Sequence, residues 1–149
     1  MLIGISGLLA CAGTQSGEIE TKTDATRITP HRIKDIAGIE WHLTSMKIEN
    51  ESIPLIKDTE TTFSCDENGK VAGVASLNRY FGSFSLKEDG EIILSKAFGM
   101  TRMACPPELM AQEAKFMQAL PHTSRIYLKN EKLGLISTDN STVLEFIEK

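Results

Sequence analysis

The sequence predicts an α+β domain that is mostly antiparallel β, a curled sheet or incomplete barrel of successive hairpins, with one main helix at about residues 107–120. Three observations indicate this class. Short segments with alternating apolar residues follow one another and are separated by glycine-containing turns. A single stretch with helical spacing lies between Pro106-Pro107 and Pro121. Strands do not alternate with helices, as they would in a parallel sheet.

The bulk composition is that of one ordinary globular domain with a short extension. The chain has 149 residues, of which 41% are hydrophobic and 24% charged, so it can bury a core without a metal. The net charge is -4 and no basic stripe is present, so we expect no nucleic-acid partner. The histidines are scattered and no C-x-x-C pair occurs, so we expect neither a metal site nor a cofactor.

The N-terminus has the pattern of an export signal. Residues 1–10 are apolar and small, but a bilayer span needs about 20 residues. Leu8-Leu9-Ala10-Cys11 resembles the bacterial lipobox, in which the cysteine is lipidated and the residues before it are removed. Residues 1–11 are therefore predicted to be a lipoprotein signal, with Cys11 as the lipidation site. No Lys or Arg precedes the apolar run, and the alternative is a core strand or helix that contains Cys11.

A flexible tether is predicted at residues 12–37, followed by the folded domain at 38–149. Residues 12–27 contain almost no large apolar side chain and are rich in Thr, Gly and Ser. Residues 28–38 either dock on the domain or remain loose. Ala12 is not Asp, which in the lipobox resemblance favours the outer membrane. We therefore expect a protein of the bacterial cell envelope, attached to the membrane by lipid and facing the periplasm.

Two cysteines remain once Cys11 is assigned to lipid. Cys65 and Cys105 would then lie in an oxidising compartment, where a disulfide is stable. Cys65 and Cys105 are 40 positions apart, and a bridge that closes a loop of this length would add about 4 kcal/mol to the free energy of unfolding. The alternative is a pair of buried free thiols. The bridge is the preferred prediction, and both alternatives stay open.

The first half of the domain is predicted to be a series of antiparallel strands. Alternation places Ile39, Trp41 and Leu43 on one face of the opening strand. Trp41, the single tryptophan, is predicted to pack in the core, and the alternative is a ligand platform. Further strands are predicted at Thr61–Cys65, Val71–Leu77, Arg79–Leu86 and Ile92–Leu94, with hairpin turns at Asp66–Lys70 and Glu88–Glu91.

The helix is followed by a second group of strands. Its predicted core stripe consists of Leu109, Met110, Phe116, Met117 and Leu120. Core packing is predicted for the methionines on and beside this stripe, Met103 included, and the alternative is a soft binding surface. The last strands are predicted at Arg125–Lys129, Lys132–Ile136 and Thr142–Ile147, with a turn at Thr138–Ser141.

Four segments, taken in order, carry a resemblance to a known family. They are the opening strand, a Gly-Val-Ala-Ser-Leu-Asn-Arg-Tyr-Phe-Gly-Ser-Phe region, a Thr-Arg-Met-Ala-Cys run and an acidic residue on the helix. Their motif residues are Trp41, Gly73, Asn78, Tyr80, Gly82, Thr101, Met103, Cys105 and Glu113. This combination, which covers about residues 38–148, is similar to the META-domain family, also called HslJ-like.

The family pattern sets an expectation for the cysteines, and the physical chemistry of the other motif residues sets expectations for each of them. The family usually has a cysteine where this chain has Leu77, so Cys65 would have to replace it as the partner of Cys105. Gly73 and Gly82 would permit close backbone approach. Asn78 would bond locally between two strands. Glu113 would need a partner, Arg79 or Arg102, or would instead lie in water at the edge of the helix stripe.

We expect the protein not to be an enzyme. No nucleophile elbow, phosphate loop, dinucleotide fingerprint or metal helix occurs in the sequence. A hydrolase with an unrecognised site is an alternative, and Cys105 with His122 nearby would be its nucleophile and base.

The META resemblance implies a role in envelope stress and a link to resistance or secretion, with no agreed ligand. We therefore predict a non-enzymatic envelope lipoprotein whose domain is a binding or structural module with an envelope protein as partner. The alternative is a periplasmic carrier of a small apolar ligand. Its binding pocket would be the mouth of the curled sheet, lined by Tyr80, Phe81 and Phe84.

Overall fold

The computed structural model describes residues 25–149, which form one curled antiparallel sheet with a helix packed across it. Cys11 and the first part of the predicted tether lie outside the described residues. The strands are β1 (Thr26–Arg27), β2 (Trp41–Ile48), β3 (Glu51–Ile53), β4 (Glu60–Cys65), β5 (Lys70–Ser76), β6 (Asn78–Leu86), β7 (Ile92–Leu94), β8 (Gly99–Met100), β9 (Thr123–Lys129), β10 (Lys132–Ser137) and β11 (Val143–Glu148). The main helix is α1 (Pro107–Ala119), and short 3-10 helices span Pro30–Asp35 and Leu120–His122. The predicted fold class is confirmed.

The sheet runs in the order β1-β9-β10-β11-β2-β4-β5-β6-β7, with β3 beside β2 and β8 beside β6. Every ladder is antiparallel, as successive hairpins require. The sheet curls until Glu91, just before β7, forms one isolated bridge with Arg125 in β9. The two ends therefore approach each other without a continuous ladder, and the barrel stays incomplete.

The segment before the first long strand belongs to the folded body. Ile28 and Ile36 are fully buried, and the Ile28 N–H donates to the Ile126 carbonyl over 2.9 Å. Arg27 and Ile28 also pack against the backbone of Gly90, beside the seam between β7 and β9. Residues 28–38 were expected either to dock on the domain or to remain loose, and in the structure they dock. Residues 26–37, which were assigned to the tether, thus lie on the sheet.

Local turn chemistry determines the predicted hairpins. After β4, one carboxylate oxygen of Asp66 accepts the N–H groups of Asn68 and Lys70 at 2.8 and 2.9 Å, and Gly69 takes a φ of 94°. The β5–β6 connection is tighter still, because only Ser76 and Leu77 separate the paired residues on either side. Ser76 has a φ of 63°, so the strand ends one residue earlier than predicted and Leu77 lies in the turn.

Aromatic side chains fill the interior. Phe116 of α1 lies 5.8 Å from Tyr80 and 6.4 Å from Phe146, measured between ring centroids, and Phe63 lies 5.8 Å from Phe146. Trp41 is buried, as predicted, and its indole N–H donates to the Ile36 carbonyl over 3.2 Å. The core therefore joins both halves of the sheet, the helix and the docked N-terminal segment.

The inward face of α1 differs from the predicted stripe. Its buried residues are Gln112, Phe116 and Ala119, followed by Leu120 in the adjoining 3-10 turn. Met110 is 53% exposed and Met103 is 50% exposed, so the prediction that they pack in the core is wrong. The polar Gln112 takes the inward position because it bonds to two loops, and this orientation turns Met110 towards solvent.

Gly73 permits the close approach that was expected of it. A Cβ atom at this position would lie 2.2 Å from the Thr62 carbonyl oxygen and 2.6 Å from the Tyr80 hydroxyl. That hydroxyl donates to the same Thr62 carbonyl over 2.6 Å. Gly82 behaves similarly, because its missing Cβ would lie 2.5 Å from the Phe98 ring. Both glycines therefore make room for an aromatic ring that packs over the strand.

We predict that Gly73→Ala lowers the free energy of unfolding by about 2–3 kcal/mol, because a backbone oxygen and a buried tyrosine would both have to move. Urea unfolding measures the loss. The matched control is Gly134→Ala, whose added methyl has no atom nearer than 3.8 Å and should cost nothing. Equal unfolding midpoints for the two variants would contradict the packing of Tyr80 over Gly73.

Candidate functional site

Motif residues that are distant in sequence meet where α1 crosses the β5–β6 turn. Asn78 and Ser76 come from the two strands, Thr101 follows β8, and Gln112 and Glu113 lie on the helix. We call these five residues the helix junction. Hydrogen bonds among their side chains join three segments of the chain at one corner of the sheet.

Asn78 is the centre of the helix junction. Its side-chain amide donates to both carboxylate oxygens of Glu113, at 3.3 and 3.1 Å. Its carbonyl oxygen accepts the Thr101 hydroxyl at 3.0 Å and the Met103 N–H at 2.7 Å. The residue is buried, and every polar atom of its side chain has a partner. A side chain bonded in this way is suited to holding three segments in register.

The partner of Glu113 is an amide rather than an arginine. Arg79 and Arg102, the two predicted partners, are exposed, and neither forms an ion pair with Glu113 in the part of the chain that the structure describes. The Asn78 backbone N–H adds a longer contact of 3.4 Å to the carboxylate. Glu113 is therefore neither paired with an arginine nor free in water, which were the two predictions. Its carboxylate is half-buried and bonded to a neutral side chain.

Gln112 was missed by the sequence analysis. Its carbonyl oxygen accepts the Ile56 N–H at 2.7 Å, and its amide donates to the Thr59 and Ser76 hydroxyls at 3.1 and 3.0 Å. The only available signal was a glutamine at a helical position that faces the core, one turn before Phe116. The bond to Ser76 also helps to hold the left-handed conformation of that turn residue, which costs about 1–3 kcal/mol on its own.

Cys65 and Cys105 are both free thiols in the structure, so the preferred disulfide is not formed. The register explains why. Cys65 pairs with Val71 at one end of β5, whereas Cys105 follows Met103, which is bonded to Asn78 beyond the other end. The length of β5 separates them by roughly 17 Å, and a bridge needs Cα atoms within about 7 Å.

The environments of the two thiols differ. Burial, and secondarily the charge of Asp66, raises the pKa of the Cys65 thiol to about 12. Cys105 is only half-buried. The thiolate is the nucleophilic form of cysteine, so Cys65 is chemically inert at neutral pH.

The Cys105–His122 pair on which the hydrolase alternative depended is not formed. Cys105 precedes the N-terminal end of α1, and His122 follows its C-terminal end, where the ring Nδ1–H donates to the Gln118 carbonyl over 2.8 Å. A helix of 13 residues separates the two by about 20 Å. His42 lies in β2, where its ring nitrogens contact two carboxylates: Nε2 is 3.1 Å from Glu40 Oε1, and Nδ1 is 3.4 Å from Glu60 Oε1.

The three aromatic residues predicted to line a carrier pocket do not face one cavity. Tyr80 is buried in the core and Phe84 packs against the core, whereas Phe81 is 57% exposed. Tyr80 and Phe81 border one cleft of about 340 Å³, which Phe84 does not line. Other clefts are larger. One of about 620 Å³ lies beyond the C-terminal end of α1 and is lined by residues that include Ala119, His122 and Thr142.

Within residues 25–149, no helix is long and apolar enough to cross a membrane. Likewise, no group of three or more His, Cys, Asp or Glu side chains converges there in a way that could hold a metal ion.

The structure places the chain in the class of α+β proteins in which a curled antiparallel sheet carries one packed helix, and in this chain an asparagine–glutamate contact holds that helix. Residues 34–149 match the META domain, and the chain belongs to the META-domain family. No curated protein matches the sequence significantly.

Three solved structures share the fold. The NMR structure of a protein from Burkholderia xenovorans is 23% identical, with a TM-score of 0.66, and the match covers 83% of this chain and 90% of that one. A second NMR structure is 21% identical, with a TM-score of 0.55, over 80% and 95% of the two chains. A crystal structure of a DUF4847 family protein from Bacteroides vulgatus is 12% identical, with a TM-score of 0.56, over 78% and 96%. At these identities the likeness shows the fold alone.

We predict that Asn78 and Glu113 are energetically coupled. Asn78→Ala should lower the free energy of unfolding by about 2–3 kcal/mol, because it leaves the Met103 N–H and the carboxylate without their partner. A double-mutant cycle with Glu113→Ala should give a coupling energy of about 1 kcal/mol. The control cycle pairs Asn78→Ala with Lys115→Ala, an exposed residue of the same helix. Additive losses in both cycles would refute the helix junction.

We predict that iodoacetamide alkylates Cys105 well before Cys65 in the folded protein. The raised pKa and the burial of Cys65 both withdraw its thiolate from the reagent. Mass spectrometry of digested samples, taken over time and without reductant, follows each site. Unfolding the protein in urea should remove the difference. A mass corresponding to a Cys65–Cys105 bridge would contradict the structure.

Proposed function

We propose that this protein is a lipoprotein of the bacterial envelope, attached through Cys11 and facing the periplasm, whose META domain is a non-enzymatic module that binds through its surface. The observation that carries the proposal is a filled interior combined with exposed large apolar side chains. Rings from the sheet and from α1 occupy the core, so binding by the outside of the domain is favoured over carriage of an apolar ligand.

Three of the five large apolar side chains that are exposed in residues 25–149 lie beside the helix junction, and the other two are Phe81 in β6 and Ile93 in β7. Leu77, Met103 and Met110 are 37%, 50% and 53% exposed, and we call them the outer patch. Each of the three is close to the Asn78–Glu113 contact. Leu77 directly precedes Asn78, and the Met103 N–H donates to the Asn78 side-chain carbonyl. Met110 lies one helical turn before Glu113 on α1. Contiguous apolar surface on a soluble domain marks an interaction site more often than chance exposure does.

The lipid anchor is supported by the lipobox resemblance and by the position of the first folded residues. Cys11 and Ala25, where the described chain begins, are 14 positions apart in the sequence. A fully extended chain of that length would reach about 50 Å at most. A domain held so close to a membrane meets envelope proteins at high local concentration, which suits a surface of modest affinity. A role in envelope stress or resistance, as the family suggests, would act through such contacts.

The test combines labelling with affinity capture. Cells that express the tagged chain should incorporate radioactive palmitate into it, and Cys11→Ser should abolish the label. Protein captured from detergent-solubilised membranes should enrich specific envelope proteins over a tether-only control. Met110→Glu should remove those proteins, because it places a charge in the outer patch, and Glu131→Lys, an exposed change elsewhere, should retain them.

Each half of the proposal can fail separately. Retention of the label in Cys11→Ser would overturn the lipid assignment. Enrichment that is identical for the chain, the tether-only control and Met110→Glu would overturn binding through the outer patch.

A further inference from the structure

The centre of the solvent-facing side of α1 is apolar except for the exposed Gln118 near its C-terminal end. Pro107, Met110, Ala111 and Ala114 are all exposed and follow the spacing by which one helix face repeats. An isolated surface helix normally turns charged residues outward along such a face. This face instead continues the outer patch, because Met110 belongs to both.

The charges that border this face lie on one flank. Glu108 and Lys115 are exposed and stand seven residues apart, which on a helix places them almost directly above one another. Neither has an ion-pair partner within residues 25–149. The opposite flank carries Met110 and, across the Asn78–Glu113 contact, Leu77 and Met103. The exposed face of α1 therefore has an apolar flank on one side. On its other side is a flank that carries one negative and one positive side chain, Glu108 and Lys115.

We propose that this face binds a second copy of the same chain, with the two α1 helices packed antiparallel about a two-fold axis. In an antiparallel helix pair, equivalent flanks meet with their sequences running in opposite directions. When the axis passes near Ala111, Glu108 of each copy faces the partner's Lys115, so that two ion pairs form. The outer patches then extend the contact on the other flank.

Charge complementarity selects a second copy over an unrelated protein. Glu108 and Lys115 stand on either side of Ala111 at almost equal distances, so the pattern is complementary to itself when it is reversed. The small side chains of Ala111 and Ala114 at the centre let the two helices approach to about 8 Å. The inference deepens the surface-binding part of the proposed function, since it names the partner of the outer patch, and it does not depend on the lipid.

The first test exchanges the two charges. The purified full chain in non-ionic detergent should self-associate, as sedimentation velocity measures. Glu108→Lys or Lys115→Glu alone should weaken the association about tenfold, because two attractive pairs become two repulsive ones. The double variant Glu108→Lys with Lys115→Glu should restore it to within about threefold, because the pairs re-form with their signs exchanged.

The restoration separates association from folding. Glu108→Lys places a positive charge near the N-terminus of α1, and Lys115→Glu places a negative charge nearer its C-terminus, so both changes oppose the helix macrodipole. The double variant therefore has the least stable helix. If loss of helix stability caused the weaker association, the double variant would associate most weakly of all. Thermal unfolding by circular dichroism records that stability for each variant. Glu131→Lys and Lys96→Glu, two exposed charge changes away from α1, serve as controls and should leave association unchanged.

The second test identifies the contact directly. A carbodiimide couples a carboxylate to an amine only where the two touch, so it should join Glu108 to the partner's Lys115. Mixing isotope-labelled with unlabelled protein shows that the linked peptides come from different copies. A chain that is monomeric at every concentration, or a double variant no better than the single ones, would overturn the inference. Capture of envelope proteins that Met110→Glu still removes would leave the outer patch standing as a site for another partner.

Discussion

The hydrogen bonds between Asn78 and Glu113 determine where the N-terminal half of α1 lies. Apolar packing holds the other half, because Phe116, Ala119 and Leu120 are buried together against the sheet. Before Phe116, the single buried residue of the helix is Gln112, a polar one. Hydrophobic burial is not directional, whereas hydrogen bonds fix distances and angles. The apolar residues therefore draw the helix onto the sheet, and the helix junction sets its rotation about its own axis.

Elements that depend on local chemistry were predictable from the sequence. The hairpin after β4 follows from Asp66 and an Asn-Gly pair, and the strand opened by Trp41 follows from alternation. The packing of 30–36 on the sheet, the inward position of Gln112 and the exposure of Met110 were not predictable, because each depends on residues distant in sequence. The resemblance did name Asn78 and Glu113 as motif residues. The partner expected for the carboxylate was an arginine, since a sequence shows charges more readily than the geometry of an amide contact.

The polar inner side of α1 has a consequence for its outer side. A helix with 13 residues has few positions to share between core and solvent. When Gln112 and Glu113 turn towards the sheet, Met110 becomes solvent-exposed, because it lies two residues before Gln112 and so on the opposite side of the helix. The same contacts bring Leu77 and Met103 beside it. The bonds that orient the helix therefore also assemble the outer patch, and a single substitution at Asn78 would disturb both.

The docked N-terminal segment places the proposed attachment point at a definite side of the domain. The chain enters at β1, on the edge of β9 where the incomplete barrel has its seam, and buried Ile28 and Ile36 hold it there. α1 packs on β5 and the turn that follows it, and its C-terminal end continues through the 3-10 turn Leu120–His122 into β9. The proposed lipid at Cys11 would confine the domain near the membrane. Confinement to a surface raises the effective concentration of neighbouring copies, so it favours the proposed pairing through α1 beyond the association that occurs in free solution.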